Sequence, residues 1–261
     1  LNIRDARFGP FTGKVADDFA TYDRGKDGMP LPGGTTTLIY DLKSQRLEKQ
    51  WLSLSGTIRN CAGGITPWGS WLTCEENVTR AGDSVGKDHG YIFEVPSGHM
   101  GLVAPVPLKA MGRFNHEAAC VDPRTGIVYL TEDRDDSLLY RFLPDARGDL
   151  AKGGRLEALA LDGIGDSRNW SEAAVARGKT YAPRWIPLDN PEAPDDDLRQ
   201  RGAAKGATLF ARGEGIWWGK DELYFACTDG GAEKYGQIYR LKPAVSGAAD
   251  QLDLFYESTD A

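Results

Sequence analysis

Residues 59–77 read RNCAGGITPWGSWLTCEEN, and the fold is decided here. A short apolar run, a Pro-Trp-Gly-Ser turn and a second run rich in β-branched, aromatic and apolar residues make a β-hairpin. The hairpin opens on Cys61 and closes on the adjacent acids Glu75 and Glu76. A thiol and paired carboxylates at strand ends are costly to bury unless something positive neutralises them.

The same pattern recurs twice. Glu117-Ala-Ala-Cys-Val-Asp-Pro123 leads through RTGIVYLTED to Asp133, and Glu214-Gly-Ile-Trp-Trp-Gly-Lys-Asp221 leads through ELYFACTD to Asp229. Each hairpin is followed by a polar loop and a further strand: GYIFEV (90–95), SLLYRF (137–142) and GQIYRL (236–241). Other strand candidates are TTTLIYDL (35–42), LEKQWLSLSG (47–56), RLEALALDG (155–163) and QLDLFYES (251–258). Repeated strand–turn–strand–loop–strand units predict an all-β chain built as a β-propeller, whose blades have about four strands and roughly 40–45 residues. A β-sandwich also offers many short strands, but it gives no reason for the same chemistry to return at the same places. The region 164–206 reads as an insertion. It holds one helix candidate, DSRNWSEAAVARG (166–178), followed by PEAPDDDLRQRG (191–202), which reads as a solvated loop. Residues 1–261 are expected to form one domain.

The composition narrows the classes of function. The 261 residues carry a net charge of −7 and 26% charged residues, with no basic stripe to hold nucleic acid. No run of 18 apolar residues marks a membrane span. An acidic chain that takes an anionic substrate needs local positive charge, and bound cations supply it.

Acids and thiols stand at the repeat positions: Cys61, Glu117 and Glu214 at the first, Glu76, Asp133 and Asp229 at the last. Glu75 and Glu132 precede the last position in two units, and Thr228 stands there in the third. Equivalent positions of successive blades meet around a propeller's channel. So many carboxylates and a thiolate cannot all stay ionised there: either their pKa values rise or cations bind. Carboxylate oxygens favour hard ions such as calcium. A thiolate among them favours a transition metal, iron being one candidate. Taken singly, the bland readings win: an acid pair at a strand end is usually a solvated turn, and a lone cysteine is usually packing. That packing role fits Cys74 and Cys227, assigned the same place in the second strand, and Cys120. An exported protein could also join Cys61 to Cys74 in a disulfide. His116-Glu117-Ala-Ala-Cys120 falls short of HExxH, lacking the second His and the helix. Arg212, two residues before Glu214, would share its face of a strand. It could fork onto a phosphate or simply balance the acid.

Four stretches resemble the PhoX-type alkaline phosphatases: GGTTTLIYD (33–41), RNCAGGITPWGSWLTCEEN (59–77), RFNHEAACVDPRTGIVYLTEDR (113–134) and RGEGIWW…FACTDGG (212–231). The resemblance implies a propeller of about six blades around a cluster of iron and calcium, with short helical insertions. By motif, Cys61 would ligate iron. Glu76, Glu117, Glu132, Glu214 and Asp229 would be metal ligands, with Glu75 and Asp133 as further candidates. Arg212 resembles a phosphate contact, so Cys61, Glu117 and Arg212 are the expected catalytic set. The substrate would be a small-molecule phosphate ester, the protein a monomer, and its home the periplasm or the exterior. Against the family's pattern the chain stops short of a further blade, so a propeller lacking its closing blade is expected. The rival function is a non-catalytic calcium-binding propeller; a calcium lactonase-type hydrolase lacks a matching ligand pattern.

Overall fold

The polypeptide folds as β-hairpins because its apolar residues alternate between turns rich in Gly, Pro and Asp. The computed structural model describes residues 2–3, 18–82, 84–245 and 247–259. The ends of the expected 1–261 domain lie outside the described residues. Four antiparallel sheets follow in chain order. The first is β1 (Asn2–Ile3), β2 (Gly33–Asp41) and β3 (Arg46–Thr57); the second is β4 (Asn60–Ile65), β5 (Ser70–Glu75) and β6 (Ile92–Pro96). The third runs β7 (His116–Val121), β8 (Val128–Glu132), β9 (Tyr140–Pro144), β10 (Gly154–Ala160), β12 (Arg184–Pro187). The fourth runs β13 (Gly213–Trp218), β14 (Leu223–Cys227), β15 (Gln237–Lys242), β16 (Gln251–Glu257), β11 (Thr180–Tyr181).

The sheets stack in series, each gluing its face to the next through its own apolar cluster. Leu54 of the first sheet packs with Phe93 and Val95 of the second. Leu72 and Ile92 of the second join Val128, Leu130, Phe142 and Leu156 of the third. Tyr129 and Leu159 of the third join Phe225, Tyr239 and Leu252 of the fourth. Within β8 the split is residue by residue: Val128 and Leu130 face one cluster and Tyr129 the other, as the period of a strand requires. Four sheets in series are not the two layers of a sandwich. The edge strands β4, β7 and β13 of the last three sheets pack against one another.

The 164–206 segment departs from its sequence reading in two places. Residues 166–178 form no helix. Asn169 sits at φ 56° and spends its side chain on the backbone of Val175, while the Asp166 carboxylate accepts from the Arg168 amide and guanidinium. Such local bonds compete with a helical turn. The helix lies instead in the stretch read as solvated loop: α1 (Leu198–Ala204) buries Leu198 in the core, and Gly202 lets it approach Leu138 and Leu188. The segment is also woven into the sheets, since β12 pairs with β10 and β11 with β16.

Candidate metal centre

The three converging edge strands carry the same irregularity at the same place. Pairing slips by one residue between Asn60 and Gly63, between His116 and Ala119, and between Gly213 and Ile216. Each slip is a β-bulge, which re-aims a side chain away from the regular pleat. The first bulged residues are Cys61, Glu117 and Glu214, the set that opens each repeat.

Two of these meet. The Cys61 thiol donates to Glu117 Oε1 at 3.0 Å. Cys61 Sγ and one carboxylate oxygen each of Glu76 and Glu117 lie within 4.8 Å of one another. Glu76 and Glu117 are buried and Cys61 half-buried. Burial pushes the Glu117 carboxyl up to about 7; the Cys61 hydrogen bond pulls it down, and the charges of Glu214, Glu76 and Asp133 push it up again. Glu214 is also raised, by burial and then by Asp133, against the pull of Arg212. One sulfur and several oxygens that repel one another's charge fit a cation: the thiolate suits a transition metal, the carboxylates a hard ion.

Beside this cluster opens a polar cavity of about 710 Å³, lined among others by Arg59, Glu76, Asn115, Asp133, Arg134 and Arg212. Arg212 donates Nε and Nη2 to the two Asp133 oxygens at 2.8 and 2.9 Å, and Nη2 also reaches Glu214 at 3.2 Å. The acid-balancing role expected of Arg212 is thus seen, on a guanidinium that also lines the cavity. Arg59 was not singled out by sequence. The signal that could have found it is its place, two residues before Cys61, as Arg212 stands two before Glu214.

The backbone corrects the alignment of the repeats. Ile65 pairs with Trp71, Val121 with Val128 and Trp218 with Leu223, so the hairpin turns hold five, six and four residues. Counting across unequal turns misplaces the residues beyond them. The amides of Glu76, Asp133 and Thr228 donate to the carbonyls of Arg59, Asn115 and Arg212. Thr228, not Asp229, is therefore the third equivalent of Glu76. In the same register Cys227 matches Glu75 and Glu132 rather than Cys74.

The remaining expected site residues make other contacts, although the charge of Asp229 still acts on Arg212. Glu75 turns into the interior, where both oxygens are taken by the amides of Ile58, Gly90 and Tyr91 and by His89 Nδ1. Glu132 is wholly buried, accepts from Tyr140 at 2.6 Å and lies 3.8 Å from Arg199; burial pushes it up to about 7. Asp229 stands 3.9 Å from Lys234, and its carbonyl accepts from Trp170. His116 is buried beside Phe114 and donates Nε2 to Gly112; burial pushes its pKa down to about 3, which keeps it a neutral packing group. Cys74, Cys120 and Cys227 are buried, and none of the four cysteines is in a disulfide, so the optional Cys61–Cys74 bond is not formed.

No curated protein matches the chain. Among solved structures it is similar to Pseudomonas fluorescens PhoX in complex with vanadate, a transition state analogue, at 23% identity and a TM-score of 0.55. That likeness covers 84% of this chain and 52% of the other, so the chain spans about half the length of the solved relative. At this identity the likeness speaks for the fold. The sequence pattern of the family described as alkaline phosphatase PhoX matches residues 21–261, nearly the whole chain, and the chain belongs to that family.

Proposed function

We propose that the chain is a metal-dependent phosphomonoesterase acting on small-molecule phosphate esters, its four sheets being consecutive blades of a β-propeller. The observation that carries this reading is the meeting of Cys61, Glu76 and Glu117 on converging bulged strands, beside a cavity lined by three arginines. Cys61, Glu76 and Glu117 would hold a transition metal, iron being the expected one, while Glu214 and Asp133 would serve a harder ion such as calcium. When bound, such ions polarise the phosphoryl group and offset its charge.

The chain's own residues do the rest. Asp133 occupies Nε and Nη2 of Arg212 and fixes the plane of the guanidinium, leaving Nη1 for a phosphate oxygen. A planar fork already held in place loses little freedom when it binds. Buried Glu117 is poised to give up its proton as a cation enters, since its high pKa reflects burial among other acids. No serine or cysteine nucleophile is required. Among the described residues no helix is long and apolar enough to cross a membrane. Export is the reading consistent with the family resemblance, and a monomer is the expected state.

The test is elemental analysis of protein purified without chelator, alongside hydrolysis of p-nitrophenyl phosphate. Iron with calcium and chelator-sensitive turnover is the expected result. Bound calcium without turnover would favour a binding propeller instead.

A further inference from the structure

Arg59 and Arg212 are the same device used twice. Each stands two residues before the first bulged residue of its hairpin, Cys61 or Glu214. Each has a left-handed backbone, φ 46° and 52°, a conformation uncommon for non-glycine residues and concentrated at functional sites. The carbonyl of each accepts from the second strand of its hairpin, Glu76 N to Arg59 O and Thr228 N to Arg212 O, both at 3.1 Å. Each guanidinium lays Nε and Nη2 on one carboxylate: Arg59 on Glu76 at 3.3 and 3.2 Å, Arg212 on Asp133 at 2.8 and 2.9 Å. Both line the one polar cavity, together with Asn115, which holds the equivalent place in the middle hairpin and has a buried Oδ1 without a hydrogen-bond partner.

We propose that Arg59 is a second phosphate-binding residue, so that the phosphoryl group is held between the Nη1 groups of Arg59 and Arg212. The proposal rests on the phosphatase reading of the site. Arg134, the third arginine of the cavity, is turned to Asp196 at 3.3 Å, and Asp135 and Asp136 also line the space, so the anion is held by the directed hydrogen bonds of two pre-set forks rather than by a surplus of positive charge. Because Glu76 is itself a cluster donor, the same acid that orients Arg59 ties the phosphate grip to the metal shell. A purely structural Arg59 would only neutralise Glu76.

The experiment compares metal-loaded wild type, Arg59→Gln and Arg59→Lys. Three quantities are read: inorganic phosphate affinity by calorimetry, p-nitrophenyl phosphate kinetics, and metal per chain. The expected result for Arg59→Gln is phosphate affinity weaker, and KM higher, by about tenfold or more, with metal content unchanged. Arg59→Lys should recover part of the affinity, since a point charge replaces the fork. A drop in metal content with phosphate affinity per loaded site unchanged would assign Arg59 to Glu76 alone and overturn the proposal. So would unchanged affinity and KM at full metal content. Phosphate binding that depends on Arg59 in a protein without turnover would uphold the anion site while removing the catalytic reading. Turnover indifferent to Arg59 would do the reverse.

Discussion

The Cys61 thiol donates to the Glu117 carboxylate across 3.0 Å, joining bulged residues 56 positions apart in the sequence. The bulge in each strand turns the residue out of the pleat and toward the seam where the edge strands meet.

If this pair holds metal, Cys61→Ala and Glu117→Gln should each lower bound metal to a small fraction of wild type. Turnover of p-nitrophenyl phosphate should fall at least about a hundredfold, in line with the loss of an interaction that supplies several kcal/mol of charge stabilisation. Elemental analysis and initial rates on the same samples check this. Full metal occupancy in Cys61→Ala would remove the thiolate from the centre.

The neighbours Glu75 and Glu76 should respond oppositely. Glu75 is fully buried with four hydrogen bonds, one of them to His89. Glu75→Gln should therefore cost about 3–5 kcal/mol of stability. Glu76→Gln should cost little stability and remove metal. Urea unfolding together with metal content separates the two, and equal stability losses would contradict the assignment.

Arg212 is expected to serve substrate rather than the fold. Its side chain is 40% exposed, and its Asp133 partner lies at the cavity. Arg212→Ala should lower kcat/KM by about ten- to a hundredfold, the range for a hydrogen bond to a charged group. The melting temperature should stay within a few degrees. A collapse of thermal stability with unchanged kinetics would make the Arg212–Asp133 pair a structural clasp.

Stability should depend on pH through His89. Its ring is wholly buried, with Nδ1 2.7 Å from Glu75 and Nε2 3.2 Å from Asp23. Burial opposes the charge, but the hydrogen bonds and charges of Glu75 and then Asp23 outweigh it and raise the pKa. The folded state thus binds the proton more tightly than the unfolded chain. This stabilisation is complete below the unfolded pKa of about 6.5 and fades as pH rises through the folded value. The melting temperature of His89→Gln should lack the part of that decline that wild type shows as pH rises above about 6.5. Identical slopes in the two proteins would show that His89 does not carry the effect.

Gly64 sets how closely β4 approaches β7. A Cβ there would run into the Ala119 carbonyl. Gly64→Ala should destabilise the fold by about 1–3 kcal/mol and, by parting the strands, weaken metal binding as well. Calorimetric unfolding and metal titration would show both effects or neither.

By itself, the amino-acid sequence determined the β-hairpins and the triplet Cys61, Glu117 and Glu214, because alternation, turn residues and repetition are local signals. It also contained the family motifs. Tertiary structure alone decided which acid of an adjacent pair joins the cluster: Glu76 reaches Cys61 and Glu117, while Glu75 is spent on His89 and three amides. Successive residues of a strand face opposite ways, and the direction of each face is set by the bulge, which no count of residues reveals. Turns of unequal length hid the equivalence of Thr228 to Glu76, so a fixed spacing pointed to Asp229 instead. The helix at Leu198 exists because Leu198 finds a core to enter, whereas 166–178 stays irregular because Asn169 and Asp166 bond their own backbone first. In both cases a long-range partner or a side-chain bond outweighed a propensity of a few tenths of a kcal/mol per residue.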